Sequence, residues 1–100
     1  MAFATPCING LYIDTSWWWF PTNDWVYGSW LNDFIRTGAG ADTIYAGGGD
    51  DYVDAGADND YVDAGSGNDL VYAGSGDDIV YGGLGDDLIY GGDRADKLYG

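Results

Sequence analysis

Residues 28–99 repeat with a period of nine, without an insertion, and this period constrains the fold more than any other feature. Residues 65–83, GSGNDLVYAGSGDDIVYGG, state the unit almost twice. The sixth place is always Asp: Asp33, Asp42, Asp51, Asp60, Asp69, Asp78, Asp87 and Asp96. The eighth place is always aliphatic: Ile35, Ile44, Val53, Val62, Val71, Val80, Ile89 and Leu98. Such registered copies indicate a repeat architecture.

Each unit divides into a glycine-rich turn and a short strand. Places seven to nine, such as Leu70, Val71 and Tyr72, favour β structure. Alternation sends the middle side chain to one face and its neighbours to the other. Strand, turn, strand, turn makes a coil of eighteen residues. We therefore predict an all-β parallel β-roll, a β-solenoid of two parallel sheets with the aliphatic rows facing inward.

This stacking lines up carboxylates along two edges of the roll. The first Asp column is Asp33, Asp51, Asp69 and Asp87, and the second Asp column is Asp42, Asp60, Asp78 and Asp96. Neighbouring coils lie about 4.8 Å apart, so carboxylates in a column repel one another. The formal net charge is −14, His is absent and Cys7 stands alone. Those features disfavour a transition metal and a disulfide framework, and oxygen ligands in glycine-rich turns favour Ca²⁺ over Mg²⁺.

Residues 82–90, GGLGDDLIY, match every fixed place of the nonapeptide G-G-x-G-x-D-x-U-x, so the units resemble the RTX (repeats-in-toxin) calcium-binding repeats. The resemblance implies a right-handed β-roll with calcium between adjacent turns, and folding that waits for calcium outside the cell. It implies as ligands the eight sixth-place Asp side chains together with turn carbonyls, including those of Gly47, Gly49, Gly65, Gly67, Gly74, Gly76, Gly83 and Gly85.

Several units depart from this pattern. Asp58 and Arg94 replace the fourth-place Gly, and the turn of residues 28–33 lacks two glycines. A cation such as Arg94 would weaken or replace the terminal metal site, and the first site is doubtful for the second reason. We therefore expect roughly four to six calcium ions, with the interior sites best. Because eight aliphatic side chains make a thin core, folding should be coupled to calcium binding.

Residues 1–27 read differently and are predicted to form an aromatic-rich N-terminal cap, with the β-roll over residues 28–100. Asn9-Gly10 predicts a hairpin turn, and residues 16–20 and 25–27 predict short strands. The tryptophans are Trp17, Trp18, Trp19, Trp25 and Trp30. Our interpretation is that they cover the first coil. A glycan-binding face and a subunit interface remain alternatives.

The repeat stops at Leu98, Tyr99 and Gly100 without a polar cap. Either the chain is a fragment of a larger secreted RTX protein, or this coil meets another copy. A head-to-tail contact that does not close makes a filament. We therefore predict an extracellular, calcium-folded structural module that associates end to end, with Leu98 and Tyr99 in the contact. The competing class is a glycan- or surface-binding module that uses the Trp cluster.

Other function classes find little support in the sequence. The three Lys and Arg residues provide no basic stripe, which excludes nucleic acid as a partner. No apolar stretch is long enough to form a transmembrane segment. No nucleophile has a plausible base and no phosphate loop occurs, so we predict no catalytic residues and no enzyme. Extracellular location through bacterial-type export rests on the resemblance alone.

Overall fold

The computed structural model describes residues 12–14, 23 and 25–100, and every regular element in this part of the chain is a three-residue strand. The strands are β1 Tyr12–Asp14, β2 Trp25–Tyr27, β3 Phe34–Arg36, β4 Thr43–Tyr45, β5 Tyr52–Asp54, β6 Tyr61–Asp63, β7 Leu70–Tyr72, β8 Ile79–Tyr81, β9 Leu88–Tyr90 and β10 Lys97–Tyr99. Sheet 1 has the order β1-β3-β5-β7-β9, and sheet 2 has the order β10-β8-β6-β4-β2. All pairs within the sheets are parallel, which confirms the predicted β-solenoid.

The register of the sheets follows from two nine-residue units per coil. Ile35 pairs with Val53, and Val62 pairs with Val80, so partners lie 18 residues apart. Strand β1 enters with a different spacing, because Ile13 pairs with Ile35, 22 residues later. The predicted aliphatic rows are therefore confirmed, whereas the nine-residue period does not predict how β1 joins sheet 1.

The core is a single file of small and aliphatic side chains between the sheets. Eighth-place residues from Ile35 to Val80 are fully buried, because the middle residue of each strand points inward. The first-place residues Ala46, Ala55, Ala64 and Ala73 are also 0% exposed, and the eighth-place pattern alone does not predict their burial. Towards the last strand the packing thins, and Leu98 is 44% exposed.

The turns stack so closely that some positions admit only glycine. Gly65 has a φ of 96°, and a Cβ there would overlap the carbonyl oxygen of Gly47 in the preceding coil. That same oxygen accepts a hydrogen bond from the Ser66 N–H at 2.9 Å. Asp58 and Arg94 adopt similar left-handed backbone, with φ values of 75° and 80°. The turn thus keeps its shape at the two fourth-place substitutions.

The N-terminal predictions are resolved only in part. Strand β2 agrees with the predicted strand at residues 25–27, and Val26 lies in the core. The predicted hairpin at Asn9-Gly10, the predicted strand over residues 16–20 and the residues Trp17, Trp18 and Trp19 lie outside the described residues. Trp25 and Trp30 are 47% and 84% exposed, so their capping role stays a prediction, as does the division of the chain after residue 27. Nowhere in the described ranges does a helix long and apolar enough to cross a membrane occur.

Candidate metal centre

The sixth-place aspartates precede the strands and turn into the roll. Asp33, Asp51, Asp69 and Asp87 lie before β3, β5, β7 and β9, whereas Asp42, Asp60, Asp78 and Asp96 lie before β4, β6, β8 and β10. The two predicted columns therefore form. From Asp33 to Asp78 these residues are no more than 4% exposed. Burial of a carboxylate requires compensation by hydrogen bonds, a proton or a cation.

One oxygen of the carboxylate is engaged by the preceding coil. The Oδ1 atom of Asp51 accepts the backbone N–H of Asp33 at 2.8 Å, and that of Asp69 accepts the N–H of Asp51 at 2.8 Å. The same bond recurs in the second column, where Asp60 accepts from Asp42 at 2.9 Å. Each of these bonds spans 18 residues and ties one coil to the next. It requires only an acceptor oxygen, not a negative charge.

The second oxygen is buried without a protein donor. Among the described residues, buried Oδ2 atoms with no hydrogen-bond partner belong to Asp51, Asp60, Asp69, Asp78 and Asp87. A buried polar atom left unsatisfied costs about 1–3 kcal/mol, and more when it is charged. Five such atoms in two regular columns indicate a recurring ligand-binding feature rather than an isolated defect.

The electrostatics of the columns agree with this interpretation. Burial raises the pKa of Asp51 and of Asp60 to about 8, although backbone hydrogen bonds from Asp33 and Asp42 act in the opposite direction. The charges of neighbouring column members raise these values further. Burial likewise raises the pKa of Asp69 to about 6 and raises that of Asp78. Without a cation, the interior carboxylates therefore favour their protonated form.

The stability of the metal-free chain should consequently fall as pH rises. Asp51 and Asp60 hold a proton in the folded chain up to a pKa of about 8 but release it near 3.8 when unfolded, so their stabilising effect is complete below 3.8 and lost through 8. In calcium-depleted buffer, we expect more β structure by circular dichroism at pH 5 than at pH 9. Equal or greater β content at pH 9 would contradict the buried, uncompensated state of these carboxylates.

The oxygen donors fit calcium. No group of three or more His, Cys, Asp or Glu side chains gathers as a metal site within the part of the chain that the structure describes. A cation on an Asp column must therefore complete its shell with backbone carbonyls, which Ca²⁺ accepts readily. A carboxylate oxygen lacking a donor, beside closely stacked turns, provides the kind of hard oxygen ligand that this ion prefers.

The predicted carbonyl ligands all lie in these turns. Gly47, Gly49, Gly65, Gly67, Gly74, Gly76, Gly83 and Gly85 have positive φ values. Three second-place carbonyls are already acceptors: Gly47 from Ser66 at 2.9 Å, Gly65 from Leu84 at 2.9 Å, and Gly74 from Asp93 at 3.1 Å. A carbonyl oxygen has two lone pairs, so one bond does not exclude a second partner. The assignment of individual ligands and the number of ions remain predictions.

A second ladder of polar side chains runs beside the Asp columns, at the fifth place. Asn32 Oδ1 accepts the N–H of Asp50 at 2.7 Å, and Asp50 Oδ1 accepts the N–H of Asn68 at 2.9 Å. These bonds are exposed and point to the following coil, opposite to those of the sixth place. Sequence reasoning missed this ladder, although the interchange of Asn and Asp at the fifth place was its visible signal.

The fourth-place substitutions border a shallow groove on the edge of the second column. Asp58 Oδ2 accepts the N–H of Gly40 at 3.0 Å. Asp58, Asp77 and Arg94 line an open groove of about 390 Å³ together with Asn59 and Ser75. The weakening of a terminal metal site by Arg94, expected from the sequence, remains a prediction.

Comparison with known proteins supports the geometric interpretation. A family model described as the RTX calcium-binding nonapeptide repeat matches residues 27–62, 56–89 and 81–100. No curated protein sequence and no solved structure matches the chain. The matched segments together span residues 27–100 and include both Asp columns. The chain therefore belongs to the RTX calcium-binding nonapeptide repeat family, and it is a calcium-binding β-roll module.

Proposed function

We propose that this chain is an extracellular structural module that is unfolded at the low calcium concentration of a cell interior and folds at the calcium concentration outside. The observation that carries the proposal is the set of buried Oδ2 atoms without a protein donor, from Asp51 to Asp87. RTX repeats are typical of secreted proteins, which agrees with the location proposed here.

The energetic argument starts from the charge of the chain. A formal net charge of −14 on 100 residues opposes compaction through self-repulsion. Within the first column, the charges of Asp33 and Asp69 both act on Asp51 and disfavour its ionised form. Bound calcium supplies the positive charge and the oxygen coordination that these carboxylates lack. Because a site of this kind does not exist in the unfolded chain, binding free energy becomes folding free energy.

The calcium range follows from the type of site. Sites with few carboxylates and many neutral carbonyls bind calcium weakly, and extracellular modules have dissociation constants of about 10⁻⁴–10⁻³ M. Each column contributes one carboxylate per coil, and the structure gathers no larger side-chain cluster in the described residues. The module would therefore remain unfolded during synthesis and fold after export.

We expect calcium to induce folding with a midpoint of about 10⁻⁴–10⁻³ M. The measurement is far-ultraviolet circular dichroism at pH 7.5 in calcium buffers, with magnesium at equal concentrations as the control. The columns should respond to calcium and not to magnesium, which keeps its water ligands and requires a stricter octahedron. A folded spectrum in chelator, or equal folding by magnesium, would argue against the proposal.

The end-to-end association is a separate element of the proposal. It is supported by the exposed apolar surface of the last coil, where Leu98 and Tyr99 are 44% and 49% exposed and Leu84 is 75% exposed. A second copy stacked on this surface would bury these side chains. Sedimentation velocity and electron microscopy in calcium test the contact: head-to-tail assembly predicts species that grow with protein concentration, and Leu98→Asp should abolish them.

The competing function is recognition of a glycan or another surface, without catalysis. It is favoured by the exposure of Trp25 and Trp30, at 47% and 84%, since an accessible indole provides an apolar platform with a polar N–H. Discrete monomers in calcium that bind a glycan array, with binding lost in Trp30→Ala, would favour this alternative over assembly.

A further inference from the structure

Both outer faces of the roll carry continuous ladders of aromatic rings. The first ladder, over sheet 1, consists of Phe34, Tyr52, Tyr72 and Tyr90. The second ladder, over sheet 2, consists of Tyr27, Tyr45, Tyr61, Tyr81 and Tyr99. The ladders follow from the fold, because outward-facing residues of successive coils are in register. Neither ladder has a role in the calcium columns.

Two tyrosine pairs in these ladders are close and nearly parallel. The ring centroids of Tyr81 and Tyr99 are 4.8 Å apart with an interplanar angle of 10°. Those of Tyr72 and Tyr90 are 5.0 Å apart with an angle of 7°. These residues are 38%, 49%, 37% and 48% exposed, in the same order, so each ring is accessible to a reagent while it rests on its partner.

We propose that Tyr81–Tyr99 and Tyr72–Tyr90 are sites of oxidative cross-linking, at which a haem peroxidase with hydrogen peroxide joins the two rings as dityrosine. Each phenol loses one electron and one proton, which leaves two tyrosyl radicals. The radicals combine through one ring carbon ortho to each phenol oxygen, and each of these carbons passes its hydrogen to the phenol oxygen as a proton. Hydrogen peroxide accepts the two electrons and two protons and leaves as two water molecules.

The geometry favours coupling within the chain. Partners are held one coil apart by the strand pairs β8–β10 and β7–β9, so radical combination becomes an intramolecular step. Rotation about the Cβ–Cγ bond of Tyr is soft, which allows stacked rings to tilt until their ortho carbons meet. The tilted neighbours Tyr61 and Tyr81, at 5.7 Å and 50°, are placed less favourably.

The pairing should depend on calcium, and this part of the inference rests on the proposed function. Tyr81 and Tyr99 are 18 residues apart in sequence and meet only when their coils stack. Once formed, a dityrosine bond across two coils would hold them together without the metal. The modification would then convert a calcium-dependent roll into one that retains its structure when calcium is withdrawn.

The test uses the full chain after alkylation of Cys7, treated with peroxidase and hydrogen peroxide in calcium or in chelator. Cleavage before Asp separates the four tyrosines into different peptides, so mass spectrometry identifies each cross-linked pair. In calcium we expect monomeric product with the Tyr81–Tyr99 and Tyr72–Tyr90 bonds, and in chelator we expect their loss. The cross-linked monomer should also retain its β spectrum at several-fold lower calcium.

Two controls isolate the chemistry from folding. Tyr81→Phe preserves the stacked ring but removes the phenol O–H, so the Tyr81–Tyr99 bond should disappear while Tyr72–Tyr90 still forms. Tyr52 provides an internal control, because it stacks on Phe34 at 4.7 Å, and Phe34 cannot form a phenoxyl radical.

Circular dichroism on the same samples separates the possible failures. Folding in calcium with only intermolecular or randomly paired dityrosine would overturn the cross-linking proposal and leave the proposed function intact. The same two bonds in both buffers would overturn the calcium dependence. Neither folding nor these bonds in calcium would overturn both.

Discussion

Asp51→Asn is expected to raise the calcium concentration needed for folding by at least about tenfold, which corresponds to about 1.4 kcal/mol. The amide oxygen can still accept the N–H of Asp33, which Asp51 Oδ1 accepts at 2.8 Å. The amide nitrogen, however, replaces the buried Oδ2 atom with a donor that cannot bind a cation. The variant therefore removes the metal-binding oxygen and leaves the coil-to-coil hydrogen bond in place.

Asp50→Asn is the matched control for this substitution. Asp50 is the adjacent residue, and its Oδ1 atom likewise accepts a backbone N–H, that of Asn68 at 2.9 Å. The control loses the same single charge, but on an exposed side chain, and Asn already occupies the fifth place at Asn32 and Asn68. Calcium titrations followed by circular dichroism should show the wild-type midpoint for Asp50→Asn. Equal midpoints for both variants would remove the argument for Asp51 as a ligand.

Metal-free conditions provide a second comparison for the same pair. Because burial raises the pKa of Asp51 to about 8, the neutral Asn side chain relieves an unfavourable buried charge when no calcium is present. In chelator at high pH, Asp51→Asn should then be no less structured than the wild type. A variant that is weaker in calcium but not in chelator separates loss of a ligand from general destabilisation.

Gly65→Ala is expected to prevent the central coils from stacking, and it is the second large effect. Left-handed backbone of a residue with a side chain costs about 1–3 kcal/mol at such a position, and Gly65 has a φ of 96°. In addition, the new methyl would overlap the carbonyl oxygen of Gly47, which is backbone and cannot rotate away. Separation of the coils would weaken the Ser66 N–H bond to the same carbonyl.

Gly48→Ala makes the same chemical change without these penalties. The nearest atoms to a Cβ at Gly48 are the Trp30 Cα at 3.4 Å and the Ser66 Oγ at 3.5 Å, which are ordinary contacts. Ala39 and Ala57 already occupy this third place in other units. Urea unfolding in saturating calcium should show a strong loss for Gly65→Ala and little change, or a gain of about 0.4–1 kcal/mol, for Gly48→Ala. Comparable stability of the two variants would contradict the stacked turn.

The parts of the fold that the sequence predicts are those that depend on one unit at a time. The three-residue strands, the inward aliphatic rows and the two Asp columns all follow from places six to nine. The missed features depend on contacts between units. Burial of Ala55 arises from the packing of whole coils, and the entry of β1 at Ile35 follows a spacing that the repeat does not contain.

The nine-residue period by itself determined that this chain forms stacked turns with carboxylates in line, because identical units in one register must place identical residues along one edge. Only the tertiary structure decided how each carboxylate divides its two oxygens. In Asp51 and Asp69, Oδ1 accepts the N–H of the preceding coil, and Oδ2 is left buried without a donor. That division depends on the side-chain rotamer and on atoms 18 residues away, which no single repeat unit specifies.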